Sequence, residues 1–507
     1  MTKKTYYVTT PIYYVNDRPH IGHAYTTLAA DVMARFKRLD GYDVHFLTGT
    51  DEHGQKIQRS AEAKGVTPQQ FTDEVSAVFR ELATDFNFSN DDFIRTTEDR
   101  HKRACAEMWK RLLDAGHIYL DKYSGWYAVS DEAFYDEGEL KEGPDGSKIA
   151  PTGKPVEWVE EESYFFRLSA FEQPLLDLYE RQPDFILPKG RRNEVISFVK
   201  GGLQDLSISR TTFDWGVPVP GDEKHVMYVW LDALTNYITA TGWPNEAPRW
   251  PADLHLVGKD ILRFHAIYWP AFLMGAGLPL PKRVFAHGWW TNEGEKISKS
   301  LGNVIDPYEL KETFGLDQTR YFLLREVPFG NDGDFRREAM VTRMNSDLAN
   351  NLGNLAQRSL SMIAKNLDGT VPAVDLTAED EALINAAGES LLADVRSLLD
   401  VQSFNRALET IWTVISEANV YIDAQAPWTL KKTDPERMAA VLYTVVETVR
   451  RIALILQPVM PESTEKLLDL LAQSSDQRGF DALNRRLESG LELPKPAGVF
   501  PRFVEAE

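Results

Sequence analysis

Pro19-His20-Ile21-Gly22-His23 separates two apolar patterns of different period, and its reading sets the fold. Before it, Tyr6 to Thr10 reads as a buried strand. After it, Ala24, Leu28, Ala29, Val32, Met33, Phe36 and Leu39 recur at helical spacing. The stretch from His20 to His23 therefore lies at the top of a first β-strand and opens the first helix. In a doubly wound α/β domain, phosphates bind at that place, because the helix N-terminus presents free N–H groups and partial positive charge. His20 and His23, one turn apart, add hydrogen-bond donors beside it. Gly22 has no Cβ, so a flat ring such as adenine can lie against the backbone. For four residues taken alone, a helix start that happens to carry two histidines is the plain alternative.

Far downstream, Lys296-Ile297-Ser298-Lys299-Ser300 forms a compact basic and hydroxyl-rich loop, preceded by Asn292-Glu293-Gly294 and followed by Leu301-Gly302-Asn303. Two lysines three residues apart, with serines between and after them, suit a polyphosphate that gains charge in a transition state. Either lysine by itself reads as part of a solvated loop. In this order and at this separation, the two motifs resemble the paired nucleotide-binding signatures of class I aminoacyl-tRNA synthetases, His-Ile-Gly-His and Lys-Met-Ser-Lys-Ser, with Ile297 in place of methionine. The resemblance implies ATP bound by His20, Gly22, His23, Lys296, Ser298 and Lys299, with Mg2+ carried by the nucleotide. It also implies an α/β fold: a Rossmann-like doubly wound parallel-sheet catalytic domain, interrupted by an inserted connective domain and followed by an all-α helix bundle that binds the anticodon.

Length and composition agree with that resemblance. At 507 residues the chain can bury several cores, and length alone suggests about three or four domains. No apolar run reaches the roughly 18 residues of a membrane span. The start, Met1-Thr-Lys-Lys-Thr, has no signal-peptide core or cleavage site. The single cysteine, Cys105, excludes an internal disulfide and any multi-cysteine zinc site. A soluble, cytoplasmic protein without membrane association is expected. The formal charge of −20 argues against a generally basic nucleic-acid binder, so a tRNA partner needs local basic patches against a repelling background.

Along the chain, Asp43 to Thr48 reads as a second strand that ends in Gly49-Thr50-Asp51-Glu52-His53-Gly54. Polar residues at such a strand's C-terminal edge face the ligand crevice. Asp51 there can hold a substrate ammonium, or it can cap a helix that begins near Gly54. Helical patterns fill most of Thr67 to Ala83 and Glu98 to Gly116, with strand-like Asp92 to Arg95 between them. From about His117 the pattern changes to short β-like pieces, turns and acidic runs, the sign of an inserted domain of about a hundred residues. Its most basic stretch is Lys189-Gly190-Arg191-Arg192 with Lys200 and Arg210, either a solvated surface or a contact for a tRNA acceptor end. The first fold resumes near Met227, with a further strand at Arg283 to Ala286. Beyond Asp306 a short connector leads into an almost wholly helical region. Phe404, Ala407, Leu408, Ile411, Trp412 and Ile415 mark one apolar stripe there; Leu442, Val445, Val446, Val449, Ile452, Ala453 and Leu456 mark another. The expected domains are 1–116 and 226–290 for the catalytic fold, 117–225 for the insert, 291–345 for the lysine loop and connector, and 346–507 for the bundle.

Within the class, Tyr228 to Tyr237, Leu254 to Asp260, Ile261 to His265 and His287 to Trp290, with Ile12-Tyr13-Tyr14-Val15-Asn16 at the start, resemble the methionyl-tRNA synthetases. The likeness is to a bacterial or organellar-like form without zinc-binding cysteines, so no structural zinc is expected in the insert. It implies that Ile12, Tyr14, Trp230, Ala233, Leu234, Tyr237, Ile261 and His265 surround methionine, that Asp51 binds its α-ammonium, and that Asp260 binds the ribose of ATP. Leu234 stands where some relatives have proline. A thioether is soft and poor at hydrogen bonding, so aromatic and aliphatic walls suit it.

The activity so implied is ATP-dependent and AMP-forming. Methionine's carboxylate attacks the ATP α-phosphate, pyrophosphate leaves, and a terminal ribose hydroxyl of tRNA(Met), initiator or elongator, takes methionine from the adenylate. His20, His23, Lys296 and Lys299 are the catalytic residues of that scheme. Two stretches imply reading of the CAU anticodon: Asn354 and Arg358 lie one helical turn apart, and Trp428 follows Pro427 at an element boundary, where its alternative is plain core. The sequence ends soon after Phe503 without the appended tRNA-binding and dimerisation module of some relatives, so a monomer is expected. A class I synthetase for another amino acid, or a catalytically silent tRNA-binding paralogue, are the alternatives.

Overall fold

A computed structural model describes residues 3–15, 18–131, 133–144, 146–297 and 302–505. The chain divides into two compact units, one made of Thr5–Ala30 and Val44–His287, the other of Met1–Lys4, Asp31–Asp43 and Gly288–Glu507.

The first unit is built on a six-stranded sheet. Its order is β3 (Asp92–Arg95), β2 (Asp43–Asp51), β1 (Thr5–Tyr14), then Leu254–Gly258, Val284–His287 and Ile186–Leu187. The pairings are parallel, with Val8 opposite Leu254, His255 opposite Val284 and Thr50 opposite Arg95. Strands of a parallel sheet are covered on both faces, which is why Val284–His287 is buried at every position. Helix α1 (Ile21–Leu39) follows β1, and α2 (Gln55–Lys64), α3 (Pro68–Asp85) and α4 (Asp99–Asp114) complete the N-terminal half. The two-faced burial of β1 explains why it runs to Tyr14, beyond the expected end at Thr10, since Pro11 and Tyr13 are buried like the residues before them. On α4, Ala104, Cys105, Met108, Trp109 and Leu112 recur at helical spacing and are all buried.

Beyond α4, one long antiparallel pair stands among the expected short β-pieces, such as Ala133–Tyr135, Lys141–Glu142 and Lys148–Ile149. Ile118–Ala128 pairs antiparallel with Glu157–Phe166 from Ile118–Phe166 to Tyr127–Glu157. Within the same stretch, Ile186–Leu187 returns to the main sheet as its edge strand beside Val284 and Phe285. Two residues carry no period, which is why the sequence pattern does not reveal this return. Arg210, read as part of a basic surface, is instead buried, its guanidinium 4.1 Å from the Tyr228 ring centre and 4.6 Å from that of Phe134.

The second unit is mainly helical. The predicted stripe on Phe404–Gln425 is buried as expected. Pro435–Leu456 is buried all round from Met438 onward, so a one-sided stripe understates it. Even its charged residues are inside: Glu447 takes hydrogen bonds from Arg450 and Arg451, which satisfies two buried cations. The C-terminal half of α1 belongs to this unit. There Asp31, fully buried, accepts from Arg320 at 2.7 Å, and Arg320 also donates to the carbonyls of Pro458 and Val459. No helix among the described residues is long and apolar enough to cross a membrane.

Candidate active site

The C-terminal ends of parallel strands open onto a crevice, and the sequence places its polar residues there. The His20 amide donates to Nδ1 of His23, and the Gly22 amide donates to Nδ1 of His20, both at 3.1 Å. A backbone N–H can only donate, so both imidazoles carry their proton on Nε2, the atom left for a ligand. The rings lie 3.9 Å apart. Crowding by the surrounding protein lowers the pKa of His20 although its side chain is exposed, with Asp260 opposing; burial lowers that of His23 well below the ordinary value, helped by His20. Two neutral donors therefore stand at the start of α1. A Cβ on Gly22 would come within 2.9 Å of the His20 ring. Asp260 makes a similar demand at the end of the Leu254–Gly258 strand, where a Cβ on Gly258 would stand 2.5 Å from its carboxylate.

Asp51 closes β2 and is 7% exposed. It does not cap α2, whose cap is Gly54 with no side-chain bond. Its two successors are fixed in different directions. The Glu52 carboxylate accepts from Arg95 Nε at 2.6 Å and Nη2 at 3.0 Å, and from the hydroxyls of Thr50 and Thr97. His53 Nδ1 meets Asp232 at 2.5 Å. A carboxylate held in place between such contacts suits a cationic ligand group.

The apolar wall comes from the Val229–Thr239 helix and from the segment after Gly258. Leu234 and Tyr237 lie in one buried cluster, with Ile12, Trp230 and Ile261 packed against it. Ala233 is buried on the same helix. Tyr14 packs against a separate cluster around Tyr13, Val15 and Phe79, with the Lys56 ammonium 5.6 Å from its ring. His265 stands on a wide π-helical turn, Phe264–Tyr268. Its Nδ1 is 2.9 Å from the Ile261 carbonyl, which fixes the proton there, so Nε2 accepts from the Tyr237 hydroxyl at 2.6 Å. Burial lowers the His265 pKa to about 4. Behind this pair, His255 bridges Thr9 at 2.7 Å and the Trp269 indole at 3.3 Å.

Sequence reasoning missed two contributors. Phe264 stacks on Trp230, with ring centres 3.5 Å apart and planes 10° from parallel. Its place beside His265 was the available signal. Asp232 is fully buried between two histidines far away in sequence, and no spacing rule reveals such a pair.

Lys296 ends a short strand, Glu295–Lys296, while Ser298 and Lys299 lie outside the described residues. In the helical unit, Asn354 is exposed at the start of the Asn354–Asn366 helix. Arg358, one turn on, pairs with Asp423 at 2.9 Å. Trp428 is 42% exposed, which removes the plain-core alternative.

Known proteins resemble the whole chain. The family model "tRNA synthetases class I (M)" matches residues 6–360, and "Anticodon binding domain of methionyl tRNA ligase" matches residues 371–507. Methionine–tRNA ligase of Brucella suis biovar 1 is 58% identical over 512 residues, covering 100% of this chain and 99% of that protein. The enzyme of Mesorhizobium japonicum is 59% identical over 512 residues, with the same coverage of 100% and 99%. The Mycobacterium tuberculosis methionyl-tRNA synthetase in complex with methionyl-adenylate superposes with a TM-score of 0.96 at 56% identity, over 98% of this chain and 100% of that one. The chain therefore belongs to the family of methionyl-tRNA synthetases, the methionine–tRNA ligases.

Proposed function

We propose that the protein activates L-methionine with ATP and transfers it to tRNA(Met), initiator and elongator alike. The observation that carries this reading is the pairing of Asp51, fixed at the end of β2, with the apolar wall of Trp230, Leu234, Tyr237, Ile261 and His265. One carboxylate for an ammonium and a wall of aliphatic and aromatic groups describe an apolar amino acid. The Tyr237 hydroxyl and the His265 imidazole are satisfied by each other, so the wall asks little hydrogen bonding of its ligand, as a thioether requires. Ile12, Tyr14 and Ala233 complete the proposed methionine set.

In the first step a methionine carboxylate oxygen attacks the α-phosphorus of ATP, which arrives as its Mg2+ complex. The bond to the bridging oxygen breaks and pyrophosphate leaves. No protein nucleophile is needed; the work is positioning and charge stabilisation. His20 and His23 donate Nε2–H to phosphate oxygens, Gly22 and Asp260 border the nucleoside, and Lys296, Ser298 and Lys299 receive the pyrophosphate. In the second step the terminal ribose 2′-hydroxyl of the tRNA attacks the acyl carbon and AMP leaves. Asn354, Arg358 and Trp428 read the CAU anticodon, and the enzyme works as a cytoplasmic monomer.

Amino-acid-dependent ATP–pyrophosphate exchange, run with each of the twenty amino acids and no tRNA, tests the reading. Exchange with methionine alone is expected. Exchange with a different amino acid would overturn the pocket assignment, and none with or without tRNA would leave a silent paralogue.

A further inference from the structure

Asp232 lies on the helix that supplies the apolar wall, yet its side chain points away from water and is fully buried. One carboxylate oxygen meets His53 Nδ1 at 2.5 Å and the other meets His101 Nε2 at 2.7 Å. His53 follows Asp51 by two residues; His101 is buried on α4 and lies 3.4 Å from the Thr239 hydroxyl. Burial opposes ionisation of Asp232, but the two histidines outweigh it and hold its pKa below the usual carboxylate range. The adjoining Cys105 thiol is pushed well up by burial and by Asp232. His101, Cys105 and Asp232 bring their donor atoms within 4.8 Å of one another, the grouping of a metal site. The contacts between the three are of hydrogen-bond kind, with His101 Nε2 2.7 Å from Asp232 and 3.2 Å from the Cys105 sulfur, so each is satisfied by the others.

The cluster does something else. We propose that Asp232 is a positioning residue for amino-acid recognition: by taking one hydrogen bond from His53 and one from His101, it fixes the strand end that carries Asp51 against the helix that carries Trp230, Ala233, Leu234 and Tyr237. This rests on the methionine reading of those residues. The ammonium subsite and the side-chain subsite come from segments some 180 residues apart in sequence, and the Asp232–His53 bond joins them, being separated by 179 positions. Glu52, between Asp51 and His53, is tied to Arg95, Thr96 and Thr97. With both residues that follow Asp51 held, the distance from the ammonium to the thioether position is set by the protein before the ligand arrives, and preorganised distance is what separates amino acids of nearly equal length.

The test is ATP–pyrophosphate exchange on Asp232→Asn, which keeps side-chain volume, and on His53→Gln, which breaks the same link from the opposite end. Charge-assisted hydrogen bonds of this kind predict a rise of about tenfold or more in KM for methionine, with KM for ATP unchanged within about twofold. The preference for methionine over norleucine should fall in both variants. Because both act through one bond, the double variant should cost about what Asp232→Asn costs alone. A structural role only would lower the thermal midpoint and the active fraction while leaving both KM values and the preference untouched, and that result overturns the proposal. If Asp232→Asn does not fold, His53→Gln decides by the same readouts. Absence of methionine-dependent exchange in the unaltered protein would instead defeat the methionine reading, which keeps the two failures apart.

Discussion

The guanidinium of Arg358 lies 5.2 Å from the ring centre of Trp428, while its Nη2 donates to Asp423 at 2.9 Å. The arrangement steadies an indole that remains 42% exposed. Ala426, with φ of 45°, turns the chain between the two helices that flank it and so sets where Pro427 and Trp428 begin. An exposed, cation-backed aromatic is a stacking platform for an unpaired base. Base–aromatic stacking is worth about 1–3 kcal/mol by alanine substitution, so Trp428→Ala should lower kcat/KM for tRNA(Met) by about tenfold or more. Methionine-dependent pyrophosphate exchange without tRNA should stay at the level of the unaltered protein. Equal loss in both assays would place Trp428 in stability rather than in recognition.

His20 and His23 give a prediction of the opposite kind. Each presents Nε2–H because its Nδ1 accepts a backbone amide of the same turn. Asparagine in place of His23 loses that fixed donor. The loss belongs to the transition state, where charge builds on the phosphates, so His23→Asn should cut the exchange rate by about a hundredfold or more. KM for methionine should hardly move. A rise in KM for methionine with an unchanged rate would assign His23 to the amino-acid site instead.

The pattern of legibility follows from the range of the forces involved. β1, β2, β3, α1 and α4 were readable because burial repeats within each segment, at period 2 or 3.6 or as a short apolar run. Their ends shifted by a few residues wherever packing outran the pattern, as at Tyr14. The places of the residues flanking Gly22, and of Asp51 at the end of β2, were legible because they sit where strands meet loops or helices. Asp232 was not. It lies on a helix buried from Leu231 to Thr239, where a carboxylate looks like an interruption until His53 and His101 are seen to satisfy it. The Trp230–Phe264 stack and the Ile186–Leu187 edge strand share that character, since both exist only through partners distant in the chain.

Arg320 offers a test of stability in the second unit. It donates to Asp31 and to two carbonyls while only 1% exposed, and Asp31 is fully buried. Asp31 keeps a contact to Arg35 at 2.8 Å when Arg320 is removed, but the two carbonyls lose their donor. Breaking a buried pair from one side costs about 3–5 kcal/mol, and Arg320→Met should approach that value in chemical unfolding followed by helix signal. A loss under about 1 kcal/mol would mean that water replaces the guanidinium there.

The histidines of the first unit predict how stability depends on pH. Burial lowers the pKa of His255 well below its ordinary value, with His265 adding to the effect, and burial lowers His265 to about 4. Both side chains are nearly inaccessible to water. In the unfolded chain each protonates near pH 6.5. The unfolded state therefore binds more protons than the folded one below that pH, and folding stability falls as pH falls. The contribution is fully present above about 6.5 and declines at about 1.4 kcal/mol per pH unit for each such histidine. For His265 the decline ends near its folded value, about 4. Urea unfolding at pH 7, 6 and 5 should show the midpoint dropping steadily with acidity. His265→Gln should reduce the slope by about one proton, because glutamine does not titrate, whatever it does to the absolute stability. A slope that is flat in the unaltered protein, or the same in His265→Gln, would mean that His265 takes up its proton in the folded state and that Nε2 is not held by the Tyr237 hydroxyl.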